Sequence, residues 1–313
     1  MAEDTQLPAP LDTPRLAVPG DENLEPDSDA VASAVAKAVG EDLGTRGDVT
    51  SSLIPAHLTI KANFVARQPG VLAGTACGTE AFRRVEEIFT RVGLEHFPVD
   101  IEWYHRDGDL VDAKTILGQV SGTLRTVLVA ERTALNFLCH LSGVASATRR
   151  LVDIVKAVAP ECNLRDTRKT TPGLRALEKA AVRAGGGQNH RMNLSEGILV
   201  KDNHLTGISI ADAVAQARKL WPEIPLEVEC DDEGQVTQSV DQRVPMVLLD
   251  NMTPDQVAYC VGIAHQAGVK VEVSGGINAT NITQYAMTGA DYISVGSITH
   301  SAQILDIGLD VTN

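Results

Sequence analysis

Hydrophobic and polar residues follow two different patterns along this chain, and the change falls near residue 162. Before it, apolar residues recur at helical spacing in residues 30–39 and 79–91. Strand-like alternation predicts β-strands at residues 61–67, 70–72, 99–105 and 115–121. Two long helices are predicted at residues 127–141 and 147–158. This pattern is typical of an α+β sandwich domain, which we place at residues 29–143, with residues 301–313 returning to it.

After residue 162, short apolar runs alternate with helical stretches. The predicted strands are residues 163–167, 197–201, 226–230, 246–250, 269–274 and 292–296, and the predicted helices are residues 174–184, 210–220, 254–267 and 278–287. Repeated strand-then-helix order requires parallel strands joined by crossover helices. An open doubly wound sheet and a β/α barrel both satisfy that order. We favour an α/β fold with an incomplete (β/α) barrel over residues 144–300, because no GxGxxG motif follows a strand.

The first 28 residues differ in composition from the rest. They contain five prolines and many acidic residues, and Arg15 is their only basic residue. A segment of this kind cannot bury enough apolar surface to fold by itself, so we predict a disordered acidic leader.

Composition excludes several classes of protein. The 313 residues are 43% hydrophobic, and 27 Lys and Arg face 41 Asp and Glu, for a formal net charge of -14. That charge repels polyphosphate surfaces, so it argues against general binding of nucleic acid or anionic membranes. The five cysteines form no CxxC pair, which favours a reducing cytoplasmic location over a disulfide framework or a zinc site. No apolar run approaches the roughly 18 residues of a membrane span.

Polar or small residues follow the predicted barrel strands in turn. They are Arg168 and Lys169, Lys201, Glu229, Asp250, Ser274 with Gly275 and Gly276, and Gly296 with Ser297. A charged residue at one strand end can simply cap that strand. In a barrel, however, all of these ends surround one mouth, so the set predicts a single ligand-binding site.

Basic residues are concentrated in residues 165–191, which hold seven Arg or Lys and two acids. In an acidic chain this local excess predicts an anion pocket. Arginine grips carboxylates through two parallel hydrogen bonds, so we expect Arg168 and Arg191 to bind carboxylates, with Lys169, Lys201 and His190 adding charge and donors.

Other residues of the same kind receive a structural interpretation. Arg175, Lys179 and Arg183 share one helix face, and we interpret them as a solvated stripe. His140 and His204 are interpreted as structural, and alternation along its strand points Cys230 away from the mouth.

Two further features suit a phosphorylated substrate. The Ser274–Gly276 and Gly296–Ser297 turns can bring backbone N–H groups close to a phosphate, and a helix is expected to begin after the first turn. Glu229 and Asp250 face the cationic residues. They fit a Mg²⁺ site beside a bound polyphosphate, and they also fit ion pairs with Lys169 and Lys201.

Together these segments resemble the quinolinate phosphoribosyltransferase family, the type II phosphoribosyltransferases. The matching motifs are EDLGTRGDVT (41–50), ERTALN (131–136), DTRKTTPGLR (166–175), GGGQNHRMN (185–193), LVKDNH (199–204), EVE (227–229), LDN (249–251), SGGI (274–277) and VGSITH (295–300). The likeness covers roughly residues 30–300 and leaves only the leader outside.

The resemblance implies a decarboxylating pentosyltransferase of de novo NAD biosynthesis. Quinolinate and phosphoribosyl pyrophosphate would give nicotinate mononucleotide, pyrophosphate and CO₂, with Mg²⁺. By this likeness Arg168, His190, Arg191 and Lys201 hold quinolinate, and Lys169, Lys201, Glu229 and Asp250 are catalytic, with Glu229 and Asp250 on the metal. Ser274, Gly275, Gly276, Gly296, Ser297 and His300 receive the 5-phosphate. The partner subunit of a homodimer would supply Arg132 to a shared active site.

Two alternatives stay open at this point. One is a related phosphoribosyltransferase that acts on another carboxylate. The other is a catalytically silent protein that binds phosphoribosyl compounds on the same fold.

Overall fold

The computed structural model describes residues 24–312, and these divide into two units. One unit is Val144–Gln303, and the other comprises the remaining described residues on both sides of it. Residues 1–23 of the predicted leader lie outside the described residues. Within residues 24–312, no helix is both long enough and apolar enough to cross a bilayer.

The first unit is built on an antiparallel sheet. Its elements are α1 (Ser28–Leu43), β1 (Thr59–Ala66), β2 (Gly70–Val71), α2 (Thr75–Arg91), β3 (Asp100–Trp103), β4 (Leu110–Val111), β5 (Ile116–Thr123), the first part of α3 (Leu124–Val158) and, from the chain end, β12 (Ile307–Thr312). The four-stranded sheet has the order β12-β1-β5-β3, and β2 pairs with β4. In its core the Phe64 ring stacks on Trp103 with centroids 4.8 Å apart.

Helix α3 corrects one prediction, because residues 127–158 form a single helix rather than two. The two predicted helices left residues 142–146 between them, and Ser142 and Gly143 in this interval are poor helix formers. Ser142 is fully buried, and its hydroxyl donates to Ala73 O at 3.1 Å and accepts from Ala73 N at 2.9 Å. These tertiary hydrogen bonds offset the low helix propensity.

The second unit alternates strands and helices. Its elements are the end of α3, β6 (Asn163–Arg165), α4 (Arg175–Ala184), β7 (Ile198–Val200), α5 (Ile210–Leu220), β8 (Leu226–Cys230), α6 (Glu233–Asp241), β9 (Met246–Asp250), α7 (Pro254–Gln266), β10 (Lys270–Ser274), α8 (Ile282–Ala286), β11 (Tyr292–Ser294) and α9 (Ser297–His300). Short 3₁₀ helices occur at Ser51–Leu53 and Asp202–Leu205 of the two units. The six parallel strands have the order β6-β11-β10-β9-β8-β7.

This sheet is an incomplete barrel, so the predicted fold class is confirmed. Strands β6 and β7 are at opposite ends of the strand order, and the gap beside β6 is partly filled by one isolated parallel bridge between Arg165 and Gln188. Helix α6 was not predicted from the sequence, although Asp232 provides a regular N-cap by accepting a hydrogen bond from Gln235 N at 2.8 Å.

A close approach between α3 and the end of α4 depends on a glycine. A Cβ atom added at Gly185 would lie 2.3 Å from Ala145 O and 2.7 Å from Thr148 Cβ. Neither contact is possible without moving backbone. The DTRKTTPGLR and GGGQNHRMN segments flank α4, so this packing also fixes the helix from which both extend.

We therefore expect Gly185→Ala to lower the free energy of unfolding by about 1–3 kcal/mol through overpacking. Gly262→Ala is the matched control. Gly262 is exposed within α7 with open space around it, so alanine should raise stability there by about 0.5–1 kcal/mol. Urea unfolding followed by circular dichroism measures both, and equal stability of the two variants would contradict the packing argument.

Candidate functional site

The carboxyl ends of the central strands bring the predicted acidic residues to one edge of the sheet. Asp250, the last residue of β9, pairs in register with Ser274 of β10, and Glu229 lies near the end of the neighbouring strand β8. Glu229 is buried, and Lys201 Nζ donates a hydrogen bond to it. The ion pair between Glu229 and Lys201 is therefore present, whereas Asp250 accepts from Asn251 Nδ2 at 2.7 Å.

Asp231 belongs to the same acidic group and was missed in the sequence. Burial raises the pKa of Asp231, and the nearby carboxylates of Asp202 and Asp250 raise this pKa further, while Lys201 opposes them. A signal was available, because Asp231 directly follows β8 and is two positions from Glu229, the spacing at which extended residues share a face. The mouth thus concentrates negative charge next to one lysine.

The predicted phosphate-binding residues also come together. A Cβ atom built on Gly296 would lie 3.2 Å from Lys169 Cδ and 3.3 Å from His300 Nε2, so the glycine lets both side chains approach the turn. Gly275 has a φ of 99°, and a Cβ atom there would lie 2.3 Å from Asn251 Oδ1. The Gly275 turn requires glycine, and the absence of a side chain at Gly296 lets Lys169 and His300 approach closely.

One detail of this phosphate-binding prediction is wrong. The helix expected directly after the SGGI segment, residues 278–287, begins only at Ile282. The intervening residues form a turn, because Asn278 and Asn281 bond to each other through Asn278 N and Asn281 Oδ1 at 2.8 Å. Only the glycine turns, without a helix N-terminus at SGGI, therefore support a phosphate there. Ser297 is the first residue of the short helix α9 after the Gly296 turn.

Helix α4 carries a second correction, because its basic residues are not a solvated stripe. Lys179 is fully buried, and Arg175 and Arg183 are half-buried. Arg175 donates to Thr170 Oγ1 at 3.1 Å, to Met192 O at 3.2 Å and to Arg168 O at 3.4 Å. Helical spacing correctly placed the three basic residues on one face. It could not show that the loops carrying Arg168 and Arg191 cover that face.

A buried ion pair lies at the centre of this arrangement. Lys179 Nζ donates to an Asp166 carboxylate oxygen and to His190 O, the latter at 3.0 Å. Asp166 also accepts from His190 N at 2.8 Å and from Asn189 Nδ2 at 2.6 Å. Burial raises the pKa of Asp166 and lowers the pKa of Lys179, while each partner opposes the shift of the other. The pair connects β6, α4 and the segment that carries His190 and Arg191.

Arg168 and Arg191 lie close enough to influence each other. Burial lowers the pKa of the Arg191 guanidinium, Arg168 lowers it further, and Glu227 raises it. Arg191 Nη1 donates to Gly197 O at 2.6 Å. Two arginines in a half-buried position repel each other, so an anion that accepts from both would relieve this repulsion.

His190 is engaged within the protein through both ring nitrogens. Its Nε2 lies 3.1 Å from Glu227 Oε2, and its Nδ1 accepts a hydrogen bond from Arg191 N at 2.8 Å. A cavity of about 400 Å³ borders His190, Arg191 and Glu227.

The remaining predicted residues are accounted for individually. Arg132 is exposed on the part of α3 that belongs to the first unit. His204 is exposed, and its Nδ1 accepts from Lys201 N at 2.9 Å. Cys230 is buried, and its Sγ lies 3.6 Å from Ser239 Oγ of helix α6, away from the strand face that carries Glu229.

Comparison with known proteins identifies the family. Residues 144–310 match the model of the quinolinate phosphoribosyl transferase C-terminal domain, and residues 48–142 match that of the N-terminal domain. The chain belongs to the quinolinate phosphoribosyltransferase family. The resemblance noted in the sequence motifs is therefore confirmed.

Curated relatives and solved structures agree with this assignment. The chain is 40% identical over 287 residues to nicotinate-nucleotide pyrophosphorylase [carboxylating] of Mycobacterium leprae (strain TN), which covers 90% of this chain and 98% of the relative. It is 37% identical to the probable enzyme of that name from Bacillus subtilis (strain 168), over 87% of this chain and 90% of the relative. The solved nicotinate-nucleotide pyrophosphorylase of Francisella tularensis superposes with a TM-score of 0.84 at 34% identity, covering 93% of this chain and 99% of that one.

We expect Lys179→Met to lower the free energy of unfolding by about 3–5 kcal/mol, because it leaves Asp166 charged, buried and without its partner. The double variant Lys179→Met/Asp166→Asn should recover part of this loss. Arg149→Met is the control, since Arg149 forms a surface ion pair with Asp153 at 2.8 Å that is worth about 0–1 kcal/mol. Urea unfolding measures all three, and similar losses for Lys179→Met and Arg149→Met would show that the buried pair has no special role.

Proposed function

We propose that the protein transfers the phosphoribosyl group of phosphoribosyl pyrophosphate to quinolinate, giving nicotinate mononucleotide, pyrophosphate and CO₂ in de novo NAD biosynthesis. The family assignment supports this activity, and the names of its relatives describe the same chemistry in the carboxylating direction. The observation that carries the proposal is the proximity of Arg168 and Arg191, two half-buried guanidiniums that a dicarboxylate would neutralise together.

The chain's own residues suggest how the transfer proceeds. Arg168 and Arg191 hold the pyridine dicarboxylate, and Lys169 with the Gly296 turn and His300 holds the 5-phosphate. As pyrophosphate departs, positive charge develops on the ribosyl ring, and the carboxylates of Glu229 and Asp250 stabilise it. The pyridine nitrogen then bonds to the anomeric carbon, and pyrophosphate leaves with the electron pair of the broken bond.

Decarboxylation follows from the charge on the alkylated ring. The bond between C2 and its carboxylate breaks, CO₂ leaves, and the electron pair stays on the ring carbon beside the cationic nitrogen. A proton from solvent then replaces CO₂ at C2. The protein's part is to hold the 3-carboxylate firmly while the 2-carboxylate is lost.

A Mg²⁺ ion fits the acidic side of the site. Glu229, Asp231 and Asp250 offer hard oxygen ligands, and after burial the carboxylates of Asp202 and Asp250 contribute to the raised pKa of Asp231. Glu229 and Asp250 would hold the ion, with Lys201 released from Glu229. When bound, Mg²⁺ would neutralise pyrophosphate as a leaving group.

We further propose a cytoplasmic homodimer with shared active sites. All five cysteines are free, which suits a reducing compartment. Arg132 would enter the pocket of the partner subunit. Its exposure on α3, one turn from exposed Asn136, supports a role beyond its own chain.

An assay of CO₂ release tests the activity and separates it from the alternatives. Purified protein with phosphoribosyl pyrophosphate and Mg²⁺ should release CO₂ from quinolinate and form no mononucleotide from nicotinate, because a monocarboxylate leaves one arginine unpaired. Chelation of Mg²⁺ should abolish turnover. Efficient use of nicotinate would favour a related transferase, and no turnover with either acid would favour a silent binding protein.

Subunit mixing tests the role of Arg132. Arg132→Ala and Asp250→Asn should each be nearly inactive, but a heterodimer of the two contains one pocket with both residues intact. Random exchange of equal amounts should therefore restore about a quarter of wild-type activity. If mass spectrometry confirms exchange and activity stays at the parental level, Arg132 acts within its own chain.

A further inference from the structure

The interior of the barrel unit holds a group of charged side chains that the proposed transfer does not use. Glu272 of β10 is fully buried, and Arg165 Nη1 donates to its Oε2 at 2.7 Å, while Ser294 Oγ donates to its Oε1 at 2.5 Å. Glu227 of β8 is 5% exposed. The nearest ligand atoms of His190, Glu227 and Glu272 all lie within 4.8 Å of one another.

The two buried glutamates differ in what holds them. Both oxygens of Glu272 have donors. Glu227 Oε2 receives His190 Nε2, and Glu227 Oε1 finds no hydrogen-bond partner among the described residues. His190 lies farther from Glu272, with Nε2 3.6 Å from Oε1. The hydrogen bond to His190 is therefore the contact through which the Glu227 carboxylate can act on the site.

The hydrogen bonds also define which nitrogen of His190 carries the proton. Arg191 N is a backbone donor, so His190 Nδ1 must accept and cannot carry hydrogen. The hydrogen is then on Nε2, which donates a hydrogen bond to Glu227 Oε2. The imidazole is neutral in this arrangement, and its two hydrogen bonds link the barrel interior to the backbone amide of Arg191.

We propose that Glu227 is a positioning residue for quinolinate recognition: it holds His190 as the Nε2–H tautomer, which keeps Nδ1 as an acceptor and fixes the backbone from which Arg191 extends. The proposal rests on the proposed function only in assigning quinolinate to Arg191. His190 then contributes to the site through its hydrogen bonds to the protein, rather than as a charged donor to the substrate.

A metal site at His190, Glu227 and Glu272 is the competing explanation of this group. Arg165 and Ser294 already occupy both oxygens of Glu272, and the Arg165 guanidinium places a positive charge beside the cluster. A cation bound there would be repelled by this guanidinium. The geometry therefore favours positioning over metal binding.

Two substitutions distinguish the role of Glu227 as a hydrogen-bond acceptor from the role of its negative charge. Glu227→Gln keeps a carbonyl oxygen that can accept from Nε2–H, whereas Glu227→Leu removes the acceptor. We expect Glu227→Leu to raise the KM for quinolinate by roughly tenfold to a hundredfold, because the Arg191 side chain that binds quinolinate is then misplaced. The KM for phosphoribosyl pyrophosphate should stay nearly unchanged, because Arg191 does not bind that substrate. Glu227→Gln should stay within about threefold of wild type.

Met246→Leu is the matched control. Met246 borders the same cavity, so this volume-conserving change disturbs packing there without touching the hydrogen bond to His190. A rise in the KM for quinolinate in Met246→Leu equal to that in Glu227→Leu would overturn the proposal. An equally large rise in Glu227→Gln would also overturn it.

The tautomer is measured without activity. In protein labelled with ¹⁵N-histidine, with His190 identified by its loss in His190→Asn, wild type should show a neutral ring protonated at Nε2, and Glu227→Gln should keep this signature. Glu227→Leu, if folded, should lose it. A wild-type ring protonated at Nδ1 would overturn the proposal. Failure of the quinolinate assay would leave this spectrum unchanged, so the two hypotheses fail separately.

Discussion

Lys179 and Asp166 form an ion pair from which water is excluded, and the geometry of the anion pocket depends on it. Taking both charges out of water is costly, and their attraction offsets that cost only when every remaining donor and acceptor is satisfied. Asp166 accepts from Lys179, Asn189 and the His190 amide, and Lys179 donates two of its three N–H bonds, to Asp166 and to His190 O. Asp166 directly follows β6, Lys179 lies in α4, and Asn189 and His190 lie in the segment after α4. These hydrogen bonds therefore fix the arrangement of the three parts relative to one another.

Much of the site could be predicted from the sequence because it follows from the repeat of strands and helices. Strands β8 and β9 have the predicted bounds, and the parallel order brings Glu229, next to the end of β8, close to Asp250 at the end of β9. The glycine turn at Gly275 could also be predicted, since its positive φ and its close contact with Asn251 favour glycine. Periodicity and turn chemistry depend on residues that are close in sequence, so both can be recognised without knowledge of the tertiary contacts.

Two of the errors, in α4 and in the middle of α3, arose where a tertiary contact decides the outcome. Helical spacing places Arg175, Lys179 and Arg183 on one face, but whether solvent or the segment after α4 covers that face depends on residues far along the barrel. Likewise, the hydroxyl of Ser142 stabilises an unbroken α3 through a partner 69 positions away in sequence. Polar residues with a buried partner are therefore the ones whose environment the local pattern does not reveal.

The charges around the mouth are segregated in a way that opposes folding and favours binding. Arg168 and Arg191 repel each other on one side, and Asp202, Asp231 and Asp250 repel one another on the other. A folded chain keeps like charges close together only if stronger interactions fix the backbone that carries them. The buried Lys179–Asp166 pair fixes the backbone next to Arg168 and Arg191. The ligands proposed for the two sides, a dicarboxylate and a divalent cation with pyrophosphate, have the opposite charges. Their binding would relieve repulsion that the fold maintains, so the same segregation would favour binding of both substrates.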